Sequence, residues 1–309
     1  MLIAIDHGNY AIKTPRFSFV AGLAEHKTRP PLAEEVIEYD GSFWTLTSRR
    51  LPYMRDKTRD EHYFLLTLFA IAKELEAYGR YTPVENIELA VGLPPEHYGV
   101  LKDKFASYFK RDGIIRFTYN DKPYCIRIGR VMVFPQAYAA VVPQSIMVVN
   151  TLRVFVVDIG GYTTDVLLLC NGKPDLQYCR SLETGTITMN NEIVRKVGAL
   201  HDMRIEDEHI RAVLNGESTI LPSEVIETIK AETGKHAKAI LDQLRELQVD
   251  LRSNPAVFVG GGSVLLRPFL EGSPMVAKAD FVESSNANAL GYEMLARAAI
   301  RSAGAGGVA

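Results

Sequence analysis

The sequence predicts an α/β protein made of two similar halves, and three stretches carry that prediction. Leu2 to Lys13 (LIAIDHGNYAIK) and Val154 to Leu169 (VFVVDIGGYTTDVLLL) follow one plan. In each, an apolar run ends on an aspartate, a glycine follows two positions on, a tyrosine two further, and then a second strand. Asp6 matches Asp158, Gly8 matches Gly160, Tyr10 matches Tyr162 and Lys13 matches Asp165, at an interval close to half of the 309 residues. A repeat on that scale means two related subdomains, each with one aspartate-tipped hairpin. The third stretch, Val257 to Leu265 (VFVGGGSVL), sets Gly260, Gly261 and Gly262 between a strand and a helix start.

A turn with two glycines brings backbone N–H groups to a surface free of Cβ atoms, and adjacent hydroxyls add donors, which is how a loop holds phosphate oxygens. A carboxylate at the strand end is placed to hold a hard cation or its water shell. An ordinary glycine hairpin capped by Asp158 fits the second stretch alone almost as well. The matching first stretch favours a clamp in which two hairpins grip a nucleoside triphosphate and Mg²⁺.

In chain order, Phe17 to Leu23 supplies a third strand after the first hairpin. Val36 to Tyr39 and Phe43 to Leu46 form a hairpin around Asp40-Gly41. Arg49 to Asp60 (RRLPYMRDKTRD) has no periodicity and reads as a solvated loop, with a protein contact as the weaker reading. Glu61 to Tyr78 carries Phe64, Leu65, Leu68, Ile71, Ala72 and Leu75 at helical spacing and ends at Gly79. Ile87 to Val91 is a strand, and the pair Pro94-Pro95 opens a helix to about Lys110. Strands at 114–119 and 124–134 turn around Asn120-Asp121-Lys122, and Phe134 to Ala140 opens a helix of small residues that must pass close to something.

The second half repeats the scheme, with a strand near Leu176 to Cys179 and a helix from Thr184-Gly185 to about Val197. Helices follow at Glu206 to Leu214 and Ser223 to about Arg252, with Leu241, Leu244, Leu247 and Leu251 on one side of the latter. The strand Ala256 to Val259 runs into the triple glycine and another helix. A short strand at Phe281-Val282 precedes a final Ala-rich helix, and the tail from Ser302 (SAGAGGVA) is expected to be disordered.

A formal charge of −2 gives no electrostatic reason to expect direct binding of nucleic acid or an anionic membrane. With 47% hydrophobic and 23% charged residues the composition is that of an ordinary globular protein. Cys125, Cys170 and Cys179 lack metal spacing and read as free thiols of a reducing cytosol, hence a cytoplasmic protein. The N-terminus has no charged leader, and no apolar run reaches a membrane-spanning length of about 18 residues.

Three further side chains are read with their alternatives open. Gln136 could orient an attacking water through its amide, as glutamine does in several NTPases, or serve as a polar residue at a helix start. Lys13 could reach phosphates or be solvated. His7 has no cysteine or acidic partner nearby and reads as a polar loop residue, neither metal ligand nor general base. The triple glycine alone is weak evidence, and its spacing fails the G-x-G-x-x-G dinucleotide pattern; with the two hairpins it becomes a wall for base and ribose.

Five segments in order resemble the actin/Hsp70/hexokinase ATPase superfamily: Asp6 to Lys13, Phe134 to Ala140, Asp158 to Asp165, Val257 to Leu265 and Asn286 to Gly291. They look like its first phosphate, first connecting, second phosphate, adenosine and second connecting motifs. Within it the chain is most similar to the plasmid-segregation actins of the ParM/StbA type, by its Asp-x-Gly-x-x-x-x-Lys opening, Ala90 to Pro95, and the Asn-Ala-x-Gly-Tyr of the last helix, Asn288 to Tyr292. The resemblance implies an actin-like fold of two ribonuclease-H-like domains flanking a nucleotide cleft. Domain I would be residues 1–150 completed by helix 286–303, and domain II residues 151–285, the helices from Gly185 to Arg252 partly forming an inserted subdomain.

It further implies hydrolysis of Mg-ATP, with GTP as an alternative. Asp6 and Asp158 would hold the Mg²⁺ water shell, and Gln136 would position the water. Gly8, Asn9, Tyr10 and Lys13 from the first hairpin, and Gly160, Gly161, Tyr162, Thr163 and Thr164 from the second, would bind ATP or ADP phosphates. Gly260, Gly261 and Gly262 would line the adenosine. The expected partners are further copies of the chain in a filament and a DNA-binding adaptor protein, for plasmid partition. The competing class is a small-molecule kinase, which needs a carboxylate base beside the γ-phosphate; beyond Asp6 and Asp158 the sequence offers no distinct one.

Overall fold

The computed structural model describes residues 1–79, 82–143 and 151–305. The chain divides into two compact units: Met1–Pro143 with the chain from Asn286 onward, and Gln144–Ser285.

Unit one is built on β1 (Leu2–His7), which pairs antiparallel with β2 (Ala11–Lys13), itself paired with β3 (Ser18–Val20). The expected third strand is therefore present but short; Ala21 and Gly22 separate it from β4 (Leu23–His26), which pairs elsewhere. The hairpin β5 (Val36–Tyr39) and β6 (Ser42–Leu46) turns at Asp40-Gly41, both with positive φ. Then come α1 (His62–Tyr78), β7 (Glu85–Leu93), α2 (Pro95–Phe109), β8 (Ile115–Tyr119) and β9 (Lys122–Pro135). All these strands form one sheet in the order β3-β2-β1-β7-β9-β8-β5-β6-β4.

The strand period of two decides what covers each face. Ile3 and Ile5 of β1 join Leu89 and Val91 of β7 in the core that contains α1, whereas Ala4 and Ala90 turn to the opposite face. Helix α1 is apolar nearly all round and buried from Tyr63 to Ala72, as such a helix must be, and Gly79 ends it in the left-handed conformation. Small residues on the other face admit the last helix, α8 (Ala287–Ala305), whose Ala289, Tyr292 and Ala296 are fully buried. This helix runs through Ser302 to Ala305, so the first part of the Gly/Ala tail continues a helix instead of being disordered; residues 306–309 lie outside the described residues.

The helix of small residues begins as α3 (Tyr138–Val141). It does pass close to something: a Cβ on Gly291 of α8 would land on the backbone carbonyl of Ala139.

Unit two repeats the sheet pattern. Strands β10 (Arg153–Ile159), β11 (Thr164–Cys170) and β12 (Lys173–Leu182) form the antiparallel meander, and β13 (Ala256–Val259) and β14 (Ala279–Phe281) add in parallel, in the order β12-β11-β10-β13-β14. The first five strands of the larger sheet have the same succession, three antiparallel and then two parallel. Phe155, Val157 and Ile159 face a core shared with α4 (Thr186–His201), α5 (Asp207–Leu214), α6 (Ser223–Glu246) and α7 (Gly261–Glu271). Helix α6 stops at Glu246, short of Arg252, yet Leu244 and Leu251 are both buried.

Candidate functional site

The duplicated hairpins are matched in register. Asp6 pairs with Lys13 across β1 and β2, and Asp158 pairs with Asp165 across β10 and β11. Both Asp6 and Asp158 are buried, 5% and 7% exposed, each at the end of a central strand.

In unit one, β9 runs parallel to β7 with Leu93 opposite Pro135, and the Gln136 N–H donates to the Leu93 carbonyl at 2.8 Å. That delivers the Gln136 side chain to Asp6, where Nε2 donates to Oδ1 at 2.9 Å. The amide nitrogen therefore donates to the carboxylate, and Oε1 is the end that can accept a hydrogen bond from water. Ala137 follows with φ 61 and ψ −55, an unfavourable conformation for alanine, and its N–H donates to Asn288 Oδ1 of α8 at 3.1 Å. The strained residue next to Gln136 is thus fastened by the last helix.

His7 is not a loop residue. It ends β1, is fully buried, and its ring packs against Tyr63, Phe105 and Phe109. The Thr67 hydroxyl gives its proton to the Tyr63 carbonyl at 2.7 Å, so it accepts from His7 Nε2–H at 2.8 Å. The Tyr63 hydroxyl donates to Asn9 Oδ1 at 3.2 Å, and Lys57 donates to the His7 carbonyl. Lys57 is 8% exposed, so the segment read as a solvated loop buries a lysine against the first turn. Helix α1 and this lysine together hold Asp6 to Asn9 from behind. Tyr10 and Lys13 lie half-buried at the same turn.

Burial, and then the charge of Lys57, push the His7 pKa down to about 3. The unfolded chain binds a proton near pH 6.5 that the folded chain refuses. The stability linked to His7 is therefore complete above pH 6.5 and lost as pH falls toward 3, at roughly 1.4 kcal/mol per unit. Thermal unfolding between pH 7 and 5 should show wild type losing more stability than His7→Asn; equal losses would contradict the assignment.

In unit two the turn closes with the Gly160 N–H on the Thr163 carbonyl at 2.8 Å. Its carbonyls face the start of α4. The N–H groups of Gly185, Thr186 and Ile187 donate to the carbonyls of Tyr162, Gly160 and Gly161, at 2.8, 3.1 and 2.7 Å. Because a trans peptide sets N–H opposite C=O, the N–H groups of Gly161, Tyr162 and Thr163 point away from α4. Successive amides directed to the side of a turn away from a helix start suit an anion.

Of the two threonines, Thr164 is fully buried with its hydroxyl on the Thr184 carbonyl at 3.1 Å, whereas Thr163 sits half-buried and donates to Asp165 Oδ2 at 2.9 Å. The triple glycine comes up beside Asp158. Gly260 has φ 87 and ψ 160, a conformation essentially reserved for glycine, and a Cβ there would fall on Asp158 Oδ1. Gly262 lies against Ile159 and Thr186, while Gly261 faces open space. Asp158, the turn, the start of α4 and the start of α7 thus form one corner of unit two.

Among the described residues no group of three or more His, Cys, Asp or Glu side chains could cage a metal. Mg²⁺ is ordinarily held by one or two carboxylates, waters and the phosphates of its nucleotide, and a buried aspartate beside a turn of amides fits that mode. No described helix is long and apolar enough to cross a membrane.

Both aspartates and the glycines stand out in the sequence through their spacing, whereas spacing alone leaves Gln136 open between two roles. Lys57, Thr67 and Asn288 in unit one, and the start of α4 in unit two, come to these turns from segments with no motif of their own.

The architecture is that of an actin-like protein, and comparison with known families supports this over most of the chain. Residues 4–138 match the N-terminal domain of actin-like proteins, and residues 156–272 match the C-terminal domain of the archaeal actin homologue described as MreB-like. The chain belongs to the actin-like superfamily, with ParM proteins among its structural neighbours. The archaeal actin homologue Ta0583 superposes with a TM-score of 0.77 at 20% identity, covering 96% of this chain and 99% of that one. The Alp12 filament structure gives 0.68 at 17% identity, with 97% and 98% covered. Bacillus thuringiensis ParM with ATP gives 0.68 at 14% identity, with 95% and 97% covered. A comparison with the curated proteins gives no match.

Proposed function

We propose that the protein is an ATPase that assembles into nucleotide-dependent filaments. The observation that carries this reading is the pair of register-matched hairpins, each with a buried aspartate beside a turn fastened from behind. Structures of relatives with ATP and with ADP, and a relative's filament structure, support the same choice.

Asp6 and Asp158 would hold the water shell of Mg²⁺. Bound Mg²⁺ would offset the charge of the phosphate oxygens. Gly8, Asn9, Tyr10 and Lys13, and Gly160 to Thr164, bind the phosphates, with Thr163 better exposed for this than Thr164. Gly260 to Gly262 give the adenosine a surface without side chains. Gln136, held on Asp6, turns its carbonyl oxygen to the attacking water. Nucleotide that prefers one conformation of the chain selects it, and a head-to-tail contact that does not close into a ring then propagates as a filament. The cargo reading is plasmid or other DNA segregation through a DNA-binding adaptor in the cytoplasm, with GTP as the alternative nucleotide.

Light scattering should rise when Mg-ATP is added above a critical concentration and later decay. A chain that stays monomeric with ATP and with a non-hydrolysable analogue, yet phosphorylates a small molecule, would make it a kinase instead.

Gln136→Ala should slow hydrolysis by about 10²-fold while nucleotide affinity barely changes, since the interaction is made to the reacting water. A matching loss of affinity in a binding titration would make Gln136 a nucleotide ligand or a support for Asp6.

A further inference from the structure

Unit two contains a buried imidazole that none of the roles above uses. His236 lies on α6, is 7% exposed, and has Nε2 at 3.1 Å from the Thr184 carbonyl. Burial pushes its pKa down, so the ring is neutral, and the carbonyl requires its one N–H to be on Nε2. The Thr164 hydroxyl reaches the same carbonyl. Thr184 O thus accepts two hydrogen bonds, one from β11 and one from α6, filling both lone pairs.

The three residues after Thr184 are those whose N–H groups hold the carbonyls of Tyr162, Gly160 and Gly161. Gly185 lies so close beneath the turn that a Cβ would stand 2.5 Å from backbone atoms of Gly161. A shift of the Thr184 peptide therefore cannot be absorbed locally. It moves the start of α4, and with it the orientation of the turn peptides. β11 supplies one support for that peptide from within the hairpin itself, and α6 supplies the other from outside it.

We propose that His236 is a positioning residue for the phosphate hairpin of unit two. It holds the Thr184 carbonyl, and through it the start of α4, in the place that aims the N–H groups of Gly161, Tyr162 and Thr163 at a nucleotide phosphate. This rests on the nucleotide-binding reading above for its ligand, but the positioning itself can be read without one.

The test uses the full chain with His236→Leu, His236→Gln and Thr233→Val. Thr233 is a buried control on the same helix whose hydroxyl bonds only its own helix at the Ile229 carbonyl. Amide hydrogen exchange is followed without nucleotide, and ADP and ATP affinities are titrated alongside. His236→Leu should speed exchange at Gly185, Thr186 and Ile187 and weaken nucleotide binding, each by about fivefold, the worth of one ordinary hydrogen bond. The rate at saturating ATP should stay near wild type. His236→Gln, which keeps an N–H donor of similar reach, should recover both. Thr233→Val should lower the unfolding temperature without moving either. If His236→Leu does not fold, His236→Asn, with a donor too short to reach, takes its place. Unchanged exchange at the three amides, or equal changes in Thr233→Val, would overturn the proposal. Wild-type protein that binds no nucleotide would instead sink the functional reading, while the exchange data still decide the role of His236.

Discussion

Asp158→Asn is expected to reduce ATP hydrolysis by about 10³-fold while unit two stays folded. The carboxylate is 7% exposed at the end of β10, between Asp165 on one neighbouring strand and Val259 on the other. Gly260 is packed against Oδ1 so tightly that no side chain fits there. Asparagine keeps the volume and so keeps that packing; what it removes is the negative charge proposed to hold the water shell of Mg²⁺. Alanine should lose activity equally but leave a gap beside Gly260, so the asparagine variant separates charge from shape. Phosphate release at saturating ATP, with circular dichroism of the unfolding transition beside it, measures both. Turnover at the wild-type rate in Asp158→Asn would remove Asp158 from the chemistry. A cooperative unfolding transition that disappears would show that the aspartate is structural.

The parts of this site that were legible in the sequence are those written in local spacing. Asp-x-Gly after an apolar run, repeated half a chain later, needs no tertiary information, and the register of both hairpins follows from it. The contact between Gln136 and Asp6 was not legible as a contact. The two are 130 residues apart, and only the parallel pairing of β9 with β7 brings them together. His7 misled for a physical reason. Between an aspartate and a glycine a histidine looks like turn chemistry, but β1 is covered on both faces, so its last side chain goes inward to Thr67 and three aromatic rings. Lys57 sits in a charged stretch without periodicity, where nothing local distinguishes the one buried cation from its exposed neighbours Arg55 and Arg59. The Gly/Ala tail misled in the opposite direction. Ser302 to Ala305 have weak signals of their own but extend a helix already committed to the sheet by Tyr292 and Ala296.

Gly291→Val should be the most damaging substitution outside the hairpins. Its Cβ would fall on the Ala139 carbonyl, and backbone on a packed helix cannot move aside as a flexible side chain can. Helix α8 must then retreat from α3. Asn288, one turn earlier on α8, holds the N–H of the strained Ala137, and Ala137 follows the glutamine whose amide rests on Asp6. The same retreat draws Tyr292 from its stack on Phe134. We expect a loss of about 3 kcal/mol or more in stability, with hydrolysis falling further than the unfolded fraction explains. Gly99→Ala is the matched control: it lies exposed on α2, a Cβ there meets nothing within 4 Å, and alanine should be neutral or stabilise by up to about 1 kcal/mol. Denaturant unfolding and phosphate release on the two variants decide the matter. If Gly291→Val were as stable and active as Gly99→Ala, the close crossing of α8 and α3 would not be what holds Gln136 in place.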